Sequence, residues 1–249
     1  MDASRAPRIV GIGETDGVMR LASCRLQVTQ THWDYAVHNA AAIDAHWQRR
    51  SAENPAMFNG VIHMMTSMSI DGTHLSGDFA RTDFKSFLHW REHGYVTTGT
   101  RDAFCSALVT SAEGGVLLGR QRSGHLNGGR YHLPGGLIDP RDVAADGTIS
   151  IDASILREVE EETGILAAEV EVVPGYLAIF TGPLLSIARE LTVRTPTRKL
   201  LARVSDHIAG DPQSELTEVI AVREARDLDG LPAPPYAAEL LKWHFTTRG

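Results

Sequence analysis

The chain has 249 residues, 43% of them hydrophobic, and a formal net charge of −7. That composition supports a packed core and argues against global disorder and against a uniform electrostatic footprint for nucleic acid. Two cysteines, Cys24 and Cys105, with no CxxC pair argue against a thiolate zinc site or a disulfide framework.

Residues 1–13 mix charged and small side chains without an apolar signal core. No stretch approaches the ~18 apolar residues of a spanning helix. The expected location is therefore the cytoplasm, with neither membrane nor nucleic acid among the partners. Residues 21–29 (LASCRLQVT) predict a strand, with Leu21, Cys24, Leu26 and Val28 roughly alternating. Thr31 offers a helix N-cap, with Asp34 three residues on. Trp33, Ala36, Val37, Ala40, Ile43 and Trp47 follow at helical spacing as one apolar stripe. Residues 55–60 read as a break. Residues 61–69 and 73–79 predict two strands around Asp71-Gly72, a short-turn signal. A second helix is expected from Thr82, with Phe84, Phe87 and Leu88 on one face and Gly94 at its C-terminal cap. Residues 1–94 thus read as an accessory α/β region.

From residue 95 the pattern changes. Residues 103–110 and 116–119 predict paired strands joined by Glu113-Gly114-Gly115. A glycine-rich, basic loop over 120–129 leads to Tyr131-His132-Leu133-Pro134-Gly135-Gly136. Residues 150–163 predict one helix. Strands are expected at 169–173, 177–180, 190–193 and 199–204. Residues 236–245 are amphipathic, with Tyr236, Leu240 and Trp243 on one face.

The chemistry concentrates in Arg157-Glu158-Val159-Glu160-Glu161-Glu162-Thr163-Gly164-Ile165. On a helix, Glu158, Glu161 and Glu162 stand at i, i+3 and i+4 and share a face. Three like charges so close repel, an arrangement suited to a divalent cation. Hard carboxylate oxygens favour Mg²⁺ or Mn²⁺ over softer metals. Ile151, Ile155 and Val159 recur every four residues on another face and would anchor the helix to a sheet. Gly164 supplies a sharp exit. Upstream, the glycine pair Gly135-Gly136 lets the backbone turn tightly and approach a metal.

Together these segments resemble the Nudix signature: a glycine, a spaced Glu, then Arg-Glu-apolar-x-Glu-Glu-x-Gly-apolar. The second half matches here at every specified position. The resemblance implies an α/β/α sandwich with a mixed sheet over 95–249, carrying 1–94 as an α/β extension. It implies a hydrolase that cleaves the pyrophosphate of a nucleoside diphosphate linked to another moiety. Carried over residue by residue, Glu161 and Glu162 would be principal metal ligands and Glu158 a ligand or the general base. Arg157 would orient the glutamates, the Gly135 carbonyl would complete a metal shell, and Gly136 would shape the turn. A homodimer is compatible with the family.

The first half of the signature departs from the pattern. Gly136 and Arg157 stand about seven residues further apart than the family spacing. Counting forward, the family's middle Glu falls on Asp142; counting back, it falls on Ile149. The insertion is expected near 140–148, with loss of the Glu that in the family supports the arginine. An extra acidic residue from a late loop has three candidates, Asp211, Glu215 and Glu218, and the sequence does not choose among them.

The order Asn54-Pro55, Phe58-Asn59-Gly60 and Thr82-Asp83-Phe84-Lys85-Ser86-Phe87-Leu88 is similar to the region before the Nudix domain in mammalian Nudix UDP-glucose pyrophosphatases. So are the long insertion and Leu184-Leu185-Ser186-Ile187-Ala188-Arg189-Glu190. This implies a UDP-sugar substrate, with UMP and a sugar 1-phosphate as products. Arg120, Arg122 and Arg130, with His125, are candidate phosphate contacts. His132 reads as structural; Tyr131 and Phe180 read as packing that could also stack a base. Two rivals stand beside this: an ADP-ribose, dinucleotide or coenzyme A-type pyrophosphatase, and a nucleotide-binding regulator without turnover.

Overall fold

The computed structural model describes residues 8–9, 16–96 and 99–248. Strands β1 (Arg8–Ile9), β2 (Gly17–Leu21) and β3 (Ser23–Thr29) are followed by helices α1 (Asp34–His38) and α2 (Ala40–Glu53). The hairpin β4 (Val61–Asp71) and β5 (His74–Asp83) leads to α3 (Phe84–Glu92). Then come β6 (Asp102–Thr110), β7 (Val116–Gln121), β8 (Tyr131–His132) and α4 (Ile151–Thr163). The chain continues through β9 (Val170–Val172), β10 (Tyr176–Thr181), β11 (Leu184–Val193), α5 (Thr197–Gly210), β12 (Leu216–Val222) and α6 (Pro235–Arg248).

Two sheets result. The smaller has the order β1-β4-β5-β3. The larger runs β12-β7-β6-β11-β10-β2, with β8 on β7 and β9 on β11. In the larger sheet β6 and β11 are parallel and the other pairs antiparallel. Strand alternation sorts its side chains to two faces. Ala107, Val109 and Leu117 pack with Ile151, Ile155 and Val159 of α4 and Leu200, Val204 and Ile208 of α5. Leu108, Val116 and Leu118 pack with Tyr236, Ala237, Leu240 and Leu241 of α6. The result is the expected α/β/α sandwich with a mixed sheet. Among the described residues no helix is long and apolar enough to cross a membrane.

The smaller sheet is not independent of this core. Leu26, Met65, Leu75 and Phe79 join the cluster that holds α4, while Trp33, Ile62, Met64, Phe87 and Trp90 form a separate cluster under α1–α3. The stretch 21–29 that reads as one strand is two. The chain bends at Ala22, whose N–H donates to Thr73 O at 2.8 Å, and β2 and β3 enter different sheets.

Three other local expectations need correction. No helix begins at Thr31: its hydroxyl pairs with that of Thr29, and α1 starts at Asp34 behind Trp33 without a side-chain cap. The helix also breaks at Asn39, which leaves Val37 exposed instead of in the stripe. Residues 199–204 lie in α5, not in a strand. Leu200, Val204 and Ile208 are buried at i, i+4 and i+8, a helical period that a six-residue window is too short to display. By contrast Asp71-Gly72 turns β4 into β5 as expected, with Gly72 at φ +57°.

At the start of β6, Asp102 is buried and accepts a hydrogen bond from the Tyr95 hydroxyl at 3.3 Å. Its Oδ1 has no hydrogen-bond partner. Burial pushes this carboxyl up to about 6, with the Arg91 charge and the Tyr95 bond opposing. A carboxyl raised on folding contributes stability that is present below its unfolded value and lost as pH rises through about 6. Asp102→Asn is therefore expected to match the wild type near pH 4 and to melt higher at pH 8. Thermal melts across that range check this, and equal melting temperatures at pH 8 would refute it.

Candidate active site

Helix α4 presents one side to the core through Ile151, Ile155 and Val159, all buried. Its end is closed by Gly164 at φ +67°, whose N–H donates to Glu160 O at 2.9 Å. A side chain at Gly164 would strike the His207 ring. His207, on α5, in turn donates to Glu161 O at 3.0 Å.

The glycine pair lies as a strap between β6 and this helix. Ala107 N–H donates to Pro134 O (2.7 Å) and Cys105 N–H to Gly136 O (3.0 Å). A Cβ on Gly135 would sit 2.1 Å from Cys105 O, and one on Gly136 would sit 2.7 Å from the Glu158 carboxyl carbon. At Gly135 the obstacle is backbone and only glycine fits; at Gly136 it is the Glu158 side chain. Gly135 N–H donates to Glu162 Oε2 at 3.2 Å.

The carboxylates experience different environments. Glu162 is buried, and its carboxyl is pushed well above the usual range by burial first, then by the charges of Glu158 and Glu215. Glu158 is pushed up to about 7, again by burial first; Arg157 opposes that rise and Glu161 and Glu215 add to it. Glu161 is half exposed and forms an ion pair with Arg141 at 3.1 Å.

Arg157 bridges the site. Its Nη2 donates to Asp142 Oδ1 at 2.8 Å and lies 3.1 Å from Glu158 Oε1. Asp142 is buried. Asp142, the residue reached by counting forward from Gly136, is thus the carboxylate that holds Arg157. Ser150 N–H donates to Asp142 O at 2.8 Å, and Val143 bridges Ile149, so 143–149 is a closed loop that leaves both ends in place. This loop laces onto β3 through Val28 N–H to Gly147 O (2.8 Å) and Ile149 N–H to Leu26 O (2.9 Å). His63 N–H on β4 donates to Ile138 O at 2.9 Å, so the smaller sheet also holds the strap's far end.

Of the three late acidic candidates, Glu215 is the one whose charge reaches Glu158 and Glu162. Asp211 caps its own turn by accepting from Gln213 N–H at 2.9 Å. Glu218 accepts from the Tyr131 hydroxyl at 2.8 Å and lies 3.6 Å from Arg120.

The basic residues divide in the same way. Arg122 fixes the Glu215 loop, with its N–H on Glu215 O and Nε on Ser214 O, both at 2.7 Å. His125 lies 3.5 Å from the Glu215 carboxylate. Arg120 lies over Tyr131, 5.9 Å from the ring centroid, beside Glu218. Arg130 has an exposed side chain and accepts from Gln121 N–H through its carbonyl. His132 and Phe180 are buried, His132 with its Nδ1 on Leu133 O and Phe180 beneath the Arg101 guanidinium. Arg141 was not singled out from the sequence, because a lone arginine in a polar loop carries no spacing signal.

Among the described residues no three Asp, Glu, His or Cys side chains have ligating atoms gathered at one point. The donor set still fits a divalent cation. It offers hard oxygens on one helix face, two of the carboxylates are largely buried among like charges, and a glycine backbone lies alongside.

The Nudix domain profile matches residues 99–245. No curated protein matches the sequence. Among solved structures, a Nudix hydrolase from M. smegmatis, RenU, is 18% identical, with 59% of this chain and 83% of that one covered and a TM-score of 0.38. A MutT protein from Methanosarcina mazei Go1 is 23% identical over 59% and 93%, at 0.39. A C. elegans Ap4A hydrolase is 13% identical over 58% and 97%, at 0.42. With the profile spanning the strands, the glycine strap and the carboxylate helix, the chain belongs to the Nudix family and is a Nudix hydrolase.

Proposed function

We propose that the chain hydrolyses the pyrophosphate linkage of a nucleoside diphosphate joined to a second moiety, with Glu158, Glu161 and Glu162 as ligands of Mg²⁺ or Mn²⁺. One observation carries this reading: Glu158 and Glu162 are held in a poorly solvated place, beside Glu161 and Glu215, where their negative charges disfavour one another. When bound, a divalent cation supplies neutralisation of phosphate oxygens and a lowered pKa for water.

The chain's own groups do the rest. The Gly135 and Gly136 backbone fixes the floor of the site against Glu162 and Glu158. If Glu158 leaves metal ligation to Glu161 and Glu162, its carboxylate is instead placed to accept a proton from an attacking water, a role typically worth ~10²–10⁴-fold. Arg157 holds that carboxylate, and Asp142 holds Arg157. Glu215, whose charge reaches Glu158 and Glu162, lies on a loop that Arg122 keeps in place.

For the substrate, a UDP-sugar such as UDP-glucose is favoured, on the order of the segments before the Nudix region and on the closed insertion. The products would be UMP and a sugar 1-phosphate. Arg120 and Arg130, both exposed, are the proposed phosphate contacts. The test is product release from UDP-sugars, ADP-ribose, dinucleoside polyphosphates and coenzyme A, resolved by chromatography. Activity is expected to vanish in excess chelator and return with Mg²⁺, with UDP-glucose cleaved fastest. Turnover that persists in chelator would end the metal reading. A different best compound would end only the UDP-sugar reading. Tight nucleotide binding with no cleavage would favour a regulator.

A further inference from the structure

We infer that Arg141 is an anion clamp that passes from Glu161 to the substrate's pyrophosphate when the metal binds. The inference rests on the metal reading of Glu158, Glu161 and Glu162. Arg141 sits in the turn 139–142, which is tied together internally. Asp139 N–H donates to Asp142 Oδ2 at 2.9 Å, and Arg141 N–H donates to Asp139 Oδ1 at 2.7 Å. The guanidinium is pinned along one edge, with Nε and Nη2 on Asp139 Oδ2 at 2.9 and 2.7 Å. Its remaining nitrogen, Nη1, reaches Glu161 Oε1 at 3.1 Å. Asp142 itself holds Arg157 through its other oxygen, so the turn fixes the position of both arginines.

The Arg141 side chain is 58% exposed and that of Glu161 49%, so both face solvent from which an anion can arrive. In the arrangement described, Arg141 is the cation on Glu161. A divalent cation held by Glu161 would neutralise that carboxylate in its place and would repel the guanidinium. A pyrophosphate brings negative oxygens into the gap, and a guanidinium fork matches them with charge-assisted hydrogen bonds. Arg141 should therefore oppose binding of metal alone and favour binding of pyrophosphate to the metal-loaded site. These opposite signs separate a clamp from a residue that merely supports the loop, whose loss would weaken both or neither.

The experiment measures Mn²⁺ binding by electron paramagnetic resonance for the wild type, Arg141→Gln and Arg141→Lys. It then titrates magnesium pyrophosphate into Mg²⁺-saturated protein by calorimetry. Arg141→Gln is expected to bind Mn²⁺ about threefold tighter or more. It is expected to bind magnesium pyrophosphate about tenfold more weakly. Arg141→Lys keeps the charge and loses the fork, so it should keep the wild-type Mn²⁺ affinity and still lose pyrophosphate affinity. Unchanged or weaker Mn²⁺ binding in Arg141→Gln, or unchanged pyrophosphate binding, overturns the clamp. Wild type that binds pyrophosphate no better than the variants also overturns it. Wild type that binds no Mn²⁺ overturns the metal reading instead.

Discussion

Glu162→Gln is expected to cut turnover at least about 100-fold, some 2.7 kcal/mol of barrier, while raising the melting temperature of the metal-free protein. Glutamine has the shape of glutamate and keeps an oxygen to accept from Gly135 N–H. What it removes is a carboxyl that folding must either bury as a charge or protonate, among Glu158 and Glu215. The glutamate's raised carboxyl weakens the fold as pH climbs above the usual carboxylate range, so the variant's advantage appears at neutral pH and fades near pH 4. A gain of about 1 kcal/mol corresponds to ~2–4 °C in a chain of this size. Glu161→Gln should lose as much turnover without the thermal gain. Its carboxylate is exposed and paired with Arg141, an interaction worth at most ~1 kcal/mol. Kinetics and melts on both variants decide the matter. Wild-type rates in both would remove the metal assignment, and a lower melting temperature for Glu162→Gln would show that its carboxylate has a stabilising partner.

Gly135→Ala should act on the fold itself. A methyl there meets Cys105 O at 2.1 Å and Ser106 Cα at 2.7 Å, both backbone atoms of a central strand that cannot swing aside. The strap would have to lift, breaking the bonds from Ala107 to Pro134 and from Cys105 to Gly136. Each loss leaves a buried polar group unpaired at ~1–3 kcal/mol. The expected cost is about 3 kcal/mol or more, a fall of roughly 6–12 °C. At the next residue the neighbour is the Glu158 side chain, which can rotate. Gly136→Ala should therefore melt close to wild type and lose activity by displacing that carboxylate. If Gly135→Ala melts like the wild type, the strap is not held against β6 as described.

The carboxylate helix was legible because its signals are local: Glu158, Glu161 and Glu162 share a face by spacing alone, and Ile151, Ile155 and Val159 mark the other. The hairpin about Asp71-Gly72 was legible for the same reason. What escaped depends on partners distant in sequence. Nothing in residues 21–29 says that Leu21 pairs with Tyr176 while Ser23 pairs with His74. Counting from either end of the insertion could not decide between Asp142 and Ile149, because the answer is the side-chain bond from Arg157 back to Asp142 across the insertion. Glu215 could not be told from Asp211 or Glu218, since a carboxylate's relevance is set by what it faces. Helix α5 was misread because Leu200 and Leu201 side by side with Val204 resemble a short apolar strand until Ile208 extends the period.

The bend at Ala22 has a bearing on how the protein comes into being. Among the described residues the strand β2 pairs along its backbone with β10, whose residues emerge some 155 positions later in synthesis. At ~5–20 residues per second, that strand waits roughly eight to thirty seconds for its partner. During this interval β3, β4 and β5 can already pair among themselves, leaving Gly17–Leu21 as an open edge attached to a finished sheet. The larger sheet is thus completed by β10 closing back onto β2, and a nascent chain stalled before Tyr176 would present that edge to its neighbours.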